Sequence, residues 1–343
     1  MVNVGIIGAT GYTGMELLRL LMTHPKVDSL ILTSRKNKGL PVSSLYPEFQ
    51  GVIDLEYREP SLEILVDCDV VFFCTPHGVA QSMAPALLEL GVKVIDLSAD
   101  FRIRDILIWE RWYGMTHSAP DWVALAVYGL PELNREKIAS AELVACPGCY
   151  PTSIELGLLP LLKNDCLELS GIIANVASGV SGAGRTLSKD KLFAEVNDGF
   201  RAYSVEGHRH QPEIEQVLSD MAGDEVSITF VPHLLPINRG IHSTIYGTLK
   251  NSGRGIQMLF EEFYRSEPFV QVLPAGSHPS TRNVRGTNTC QISIHQPGNA
   301  NRIVLLVVED NLTKGASGQA IQCMNIMFSY AESDGLAGAA LVP

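Results

Sequence analysis

The sequence has no long apolar run, no block of like charge, no repeat and no cysteine framework. Its first apolar stretch, Val4-Gly5-Ile6-Ile7, is too short for a signal sequence or a membrane span, and no basic segment precedes it. Basic residues are outnumbered, 26 Lys and Arg against 37 Asp and Glu, so the net charge is −11 and a general nucleic-acid binder is not expected. The seven cysteines are odd in number and irregularly spaced, which predicts reduced thiols and a cytoplasmic setting. What is present is an ordinary globular composition, 46% hydrophobic and 18% charged, in 343 residues, enough for two domains.

Residues 2–7 read as a central strand, and Gly8-Ala9-Thr10-Gly11-Tyr12-Thr13-Gly14 follows at once, ahead of an apolar helix. Strand, glycine turn and helix is the context that gives G-x-x-G-x-x-G a meaning. Gly8 permits the tight turn, Gly11 lets backbone N–H groups approach a pyrophosphate, and Gly14 lets the helix pack on the strand. The motif departs by one position from G-x-G-x-x-G. Where NAD-binding folds carry an acidic residue for the ribose, residues 33–36 read Thr-Ser-Arg-Lys, and Ser34 and Arg35 suit a 2′-phosphate. NADP(H) is therefore the expected cofactor. Strands at 69–75 and 92–97 alternate with helices, which predicts a parallel doubly wound sheet. Cys74, Pro76 and Ser98 fall on its ligand-facing edge, and Arg102 is a candidate anion clamp. Residues 103–140 read as irregular with short helices.

The stretch around which the chain is organised is Cys146-Pro147-Gly148-Cys149-Tyr150-Pro151-Thr152. A buried strand ends at 145, a turn follows, and helical apolar spacing runs to about 163. Cys149 then sits at a helix N-terminus, where unpaired amides and the macrodipole favour a thiolate nucleophile. The same residues spell a single C-x-x-C, compatible with a redox pair or with half a zinc site.

Further on, a strand at 172–178 leads into a glycine-rich loop. Ser178, Gly179 and Gly182 offer backbone donors to an anionic group, and Arg185 ends the loop. His208 and His210 precede a helix reaching 221, with Glu213 placed to orient an acid–base histidine; a metal site is the competing reading, though no third ligand is evident. H-x-H points both rings one way only on a strand. Strands at 226–232 and 241–249 bracket Arg239, another candidate for the substrate. Strands near 270, at 290–295 and at 303–308, in hairpin-like succession, complete an α+β domain with a mixed, largely antiparallel sheet. A last apolar helix at 321–328 is expected to return to the first domain, its opening, with Asn311 and Gln319, beside the nicotinamide.

The motifs GATGYTG (8–14), TSR (33–35), DLSADFR (96–102), CPGCYPT (146–152), SGVSGAGR (178–185), GHRHQPEI (207–214), VPHLLPINRGI (231–241) and DNLTKGASGQA (310–320) occur in order along nearly the whole chain. In these the sequence resembles the N-acetyl-γ-glutamyl-phosphate reductase family of arginine biosynthesis, with Thr313 and Cys323 where Val and Asn are expected. The resemblance implies an α/β protein of glyceraldehyde-3-phosphate dehydrogenase-like plan. An NADP-binding Rossmann domain would cover 1–147, with 312–343 returning to it, and a catalytic and oligomerisation domain would cover 148–311. It also implies a homodimer or homotetramer acting on a small acyl phosphate, its semialdehyde and inorganic phosphate, with no nucleic acid, membrane or metal. In the implied mechanism Cys149 forms a thioester. A histidine of the pair, His208 before His210, holds the thiolate and protonates the thiohemiacetal oxyanion, while Arg102, Arg185 and Arg239 compete for the substrate's anionic groups and Glu213 is also placed at the substrate. An aspartate-semialdehyde dehydrogenase-like reductase and a non-catalytic dinucleotide sensor are the alternatives.

Overall fold

A computed structural model describes residues 1–250, 255–298 and 301–341. The chain forms two compact units: Met1–Pro147 with Ala316–Leu336, and Gly148–Gly315 with the tail from Ala337. No helix among the described residues is long and apolar enough to cross a membrane.

The first unit is built on a seven-stranded sheet in the order 57–58, 27–33, 2–7, 70–73, 93–96, 143–145, 127–128, parallel at every pair. Its central strands, Val2–Ile7 and Val70–Phe73, are apolar in nearly every position because both faces of the sheet are covered. The strand order reverses between these two, which is where such sheets open a ligand crevice. Residues 103–140 hold helices Ile106–Tyr113, Pro120–Val123 and Pro131–Ala139, and a strand, Val127–Tyr128, too short to show a period. The last helix is Gly318–Met327, three residues earlier than the apolar spacing indicates, and a π-turn over Thr313–Ser317 leads into it. All ten of its residues are buried, and it packs on helices Pro131–Ala139 and Tyr12–Leu21.

The second unit has a mixed seven-stranded sheet in the order 270–272, 290–295, 302–309, 241–248, 172–179, 228–235, 201–202. Four of its six pairings are antiparallel. The expected succession of hairpins holds for 290–295 with 302–309 only in part of the sheet. Ile228–Leu235 and Ile241–Thr248, consecutive in sequence, instead flank Ile172–Gly179. Their connection crosses the end of that central strand at Gly179, where an added Cβ would lie 2.8 Å from Asn238 O. Strand Ile228–Leu235 also continues past Pro232, which lacks a donor but whose carbonyl accepts from Tyr203 N–H at 3.1 Å. Helix Cys149–Lys163 packs on the sheet's central strands and on helix Gln211–Ala222.

Candidate active site

Gly148, in extended conformation, caps the fifteen-residue helix that Cys149 opens. Its carbonyl accepts from both the N–H and the hydroxyl of Thr152 at 3.0 Å. Its own N–H donates to Glu213 Oε1 at 2.8 Å, and Glu213 is fully buried. Pro151 has no N–H. Backbone donors at this helix start are therefore confined to Cys149 and Tyr150, fewer than a bare helix end would offer. Cys149 is half-buried, Cys146 is buried, and none of the seven cysteines forms a disulfide. Gly315 packs against the nucleophile candidate: a Cβ there would lie 2.8 Å from Cys149 Cβ.

His210 is the cap residue of helix Gln211–Ala222 and is buried. Its ring lies on Gly148, where an added Cβ would be 2.6 Å from Nε2, so no larger residue fits beside Cys149. His208 sits behind it. Its Nδ1 accepts from His210 N–H at 3.1 Å, and the two rings meet edge to face at 4.9 Å. Burial, helped by the charge of Arg209, lowers the His208 pKa from 6.5 to about 4. The pair occupies a turn, not a strand, so alternation does not order it; the ring brought to the Cys149 peptide is that of His210, although sequence reasoning put His208 first. Tyr150 stands edge-on to both rings, and its hydroxyl shares a 2.8 Å hydrogen bond with that of Tyr203. Burial pushes both phenols up. Among the described residues no three metal-ligating side chains cluster.

A cavity of about 540 Å³ opens in front of Cys149, His208 and His210. Its cations are Lys191, Arg201 and Arg209, none of which the sequence singled out; only Arg209, inside HRH, carried a local signal. The arginines expected at the substrate stand elsewhere. Arg102, in the first unit, is buried and donates to Cys146 O at 2.6 Å and Leu97 O at 2.9 Å. Arg239 grips buried Asp310 and donates to Thr313 Oγ1 at 3.0 Å, which gives that unexpected threonine a partner. Arg185 is exposed and does not line the cavity. Glu213, also expected at the substrate, is bound to Gly148 and does not line the cavity either.

Ser178, Gly179 and Gly182 of the glycine-rich loop line the same cavity as Cys149. The amides of Gly179, Val180 and Ser181 donate to the carbonyls of Gly240, Ile237 and Asn238. Asn311 ties the same loops together, accepting from Gly240 N–H at 2.7 Å and donating to Ser181 Oγ at 2.9 Å. Ser178 Oγ donates to Gly179 O at 3.0 Å, and a Cβ on Gly182 would lie 2.9 Å from that hydroxyl.

In the first unit, Gly8 has φ +82°, and a Cβ there would lie 2.3 Å from Cys74 O, at the point where the strand order reverses. Gly14 is equally tight against Ala9 and Gly8. Helix Tyr12–Leu21 has Gly11 as its cap, no side-chain cap and no acid in its first turn, a start suited to a phosphate. Tyr46 OH donates to Thr10 O, and Ser317 Oγ donates to Thr13 O. Ser34 is buried and Arg35 exposed where strand Val27–Thr33 ends. Cys74 and Pro76 follow strand Val70–Phe73, and burial pushes the Cys74 thiol up. Ser98 donates twice to buried Asp96, whose carboxyl burial and nearby Asp100 push up. Gln319 is buried in the last helix. Gly8, Gly11 and Gly14 thus shape a cradle that fits a dinucleotide.

Both parts define a two-domain semialdehyde dehydrogenase-type protein. A family profile described as "Semialdehyde dehydrogenase, NAD binding domain" matches residues 3–141, and one described as "Semialdehyde dehydrogenase, dimerisation domain" matches 149–311. The fold is similar to aspartate semialdehyde dehydrogenase II of Vibrio cholerae, with TM-score 0.73 and 17% identity over 96% of this chain and 98% of that one. It is also similar to the Candida albicans aspartate semialdehyde dehydrogenase, with TM-score 0.69 and 16% identity over 96% and 99%. In sequence the chain is 56% identical to the N-acetyl-γ-glutamyl-phosphate reductase of Saccharophagus degradans and 57% identical to that of Cellvibrio japonicus, over the full length of each. The chain belongs to the N-acetyl-γ-glutamyl-phosphate reductase family.

Proposed function

We propose that this chain reduces N-acetyl-γ-glutamyl phosphate to N-acetyl-glutamate 5-semialdehyde and phosphate through a thioester on Cys149, in arginine biosynthesis. The observation that carries the reading is the seat of His210 on Gly148, beside a cysteine at a helix start. The Cys149 sulfur attacks the acyl carbon, and the carbon–oxygen bond to phosphate breaks. His210 gives its proton to the departing phosphate and is reprotonated from water. The cofactor, when bound, supplies a hydride to the acyl carbon. The tetrahedral oxyanion, facing the Cys149 and Tyr150 amides, then collapses and expels the sulfur as thiolate. Backbone donors of this kind contribute about 3 kcal/mol each. Arg209, Arg201 and Lys191 supply the positive charge that an acyl phosphate bearing a carboxylate requires. A phosphate-dependent assay with N-acetyl-glutamate semialdehyde, run beside aspartate semialdehyde, tests the substrate; equal or better turnover of the latter would sink this choice.

NADP(H) is the proposed cofactor, with Arg35 on the 2′-phosphate. Losing a charge-assisted hydrogen bond of about 1.5–3 kcal/mol, Arg35→Asp is expected to raise the KM for NADPH roughly 10- to 100-fold and to leave that for NADH nearly unchanged. An unaltered NADPH KM would remove Arg35 from that role.

The proposed assembly is a homodimer or homotetramer in a cytoplasmic setting. Leu187, Phe193 and Phe200 support self-association, being 93%, 81% and 63% exposed on one segment of the second unit. Phe193→Asp with Leu187→Asp is expected to weaken association in sedimentation at micromolar concentration. A wild-type chain that sediments as a monomer there would contradict the assembly.

A further inference from the structure

We propose that Asp100 is a positioning residue for the dinucleotide, a buried clamp that holds one wall of its crevice in shape before the cofactor arrives. The inference rests on the reading of the first unit as a dinucleotide-binding domain. Strands Val2–Ile7 and Val70–Phe73 lie side by side where the strand order reverses, and a ligand is expected outside their carboxyl ends. The glycine turn at 8–14 leaves the first strand, and the segment 74–79 leaves the second. Cys74 N–H donates to Ile7 O at 2.8 Å and Cys74 O lies against Gly8, so the second segment starts in contact with the glycine turn. It then turns at Gly78, whose φ is +88°, into helix Ala80–Glu89. Val79, the cap residue of that helix, makes no side-chain capping bond. The capping carboxylate comes instead from Asp100, which follows strand Lys93–Asp96. Both of its oxygens accept from Gly78 N–H, at 2.9 and 3.0 Å, and Oδ2 also accepts from Gln81 N–H at 3.1 Å. Asp100 is itself fully buried and held from behind. Its N–H donates to Ser98 Oγ at 3.2 Å, and its carbonyl accepts from His117 Nε2 at 2.7 Å. The segment 74–79 thus hangs from a fixed carboxylate by its glycine, the residue with the most conformations to lose. A charged acceptor makes that bond shorter and stronger than a neutral one would. A cap of this kind also steadies helix Ala80–Glu89. That role alone would lower the melting temperature and leave cofactor affinity untouched.

The test compares Asp100→Ala with Asp100→Asn, which keeps one acceptor oxygen. NADPH is titrated by nicotinamide fluorescence, and amide hydrogen exchange is followed over residues 74–82 of the cofactor-free chain. A few backbone residues would have to be ordered on binding, so Asp100→Ala is expected to raise the Kd for NADPH roughly 10- to 100-fold. Asp100→Asn is expected to raise it roughly two- to tenfold. Exchange over 74–82 should quicken in both variants, and saturating NADPH should restore much of the lost protection in Asp100→Ala. A lowered melting temperature with a wild-type Kd, measured well below the transition, would leave Asp100 a helix cap only and overturn the proposal. Wild-type exchange over 74–82 in Asp100→Ala would overturn it too. If Asp100→Ala fails to fold, Asp100→Asn decides: an unchanged Kd or unchanged exchange rejects the clamp. A wild-type chain that binds neither NADPH nor NADH rejects the dinucleotide reading itself; tight binding by wild type, matched by Asp100→Ala, rejects this inference alone.

Discussion

Cys149→Ser is expected to lower kcat by roughly four to six orders of magnitude, the scale on which removal of a covalent nucleophile acts. The amides of Cys149 and Tyr150 and the macrodipole of a fifteen-residue helix favour an anion at residue 149. They do so usefully only for a thiol, whose ordinary pKa is near 8.5; a serine hydroxyl stays protonated in the same place. The neighbouring packing should survive, since serine is the smaller side chain against Gly315. NADPH binding, followed by nicotinamide fluorescence, should persist because its candidate residues at 8–14 and 34–35 belong to the first unit. Activity within tenfold of wild type would end the thioester account.

The second large effect separates the two histidines. His210→Asn is expected to cost roughly 10²- to 10⁴-fold in kcat, the usual contribution of a placed acid–base group. His208→Asn should cost far less. Its ring is held neutral, with a pKa of about 4, and its Nδ1 is occupied as acceptor for His210 N–H, so near neutral pH it has no proton to spare. At neutral pH kcat should therefore largely survive His208→Asn and fall in His210→Asn. The lowered pKa of His208 also has a sign for stability. Between pH 6.5 and about 4 the unfolded chain takes up a proton that the folded one refuses, so stability is full above that window and falls as pH drops through it. His208→Asn should flatten that fall in urea melts. If His208→Asn proved the more damaging to kcat, the two rings would exchange roles.

The first unit was legible because its signals are local. Val4, Ile6 and Ile7 are apolar because they are covered on both faces, and the glycines at 8, 11 and 14 are fixed by backbone crowding within a few residues of themselves. The Cys149 helix start was legible for the same reason, a turn dipeptide followed by helical spacing. The hairpin order of the second sheet was misread because strands 228–235 and 241–248 are neighbours in sequence and each pairs with 172–179 instead. At the glycine-rich loop the sequence left unseen that the amides of residues 179–181 meet carbonyls of residues 237–240, some sixty positions away.

By itself the sequence determined that this is a two-part α/β chain with a dinucleotide turn at its start and a cysteine at the mouth of a helix. Spacing and backbone sterics act over a few residues and leave a readable trace. Folding decided which charges line the cavity. Arg102 and Arg239 carry the same guanidinium as Arg209, yet they lie against carbonyls and Asp310 while Arg209 lines the cavity. It decided as well that His210 and not His208 touches Gly148, because a contact between residues sixty apart in sequence depends on how two helices pack and not on any local pattern.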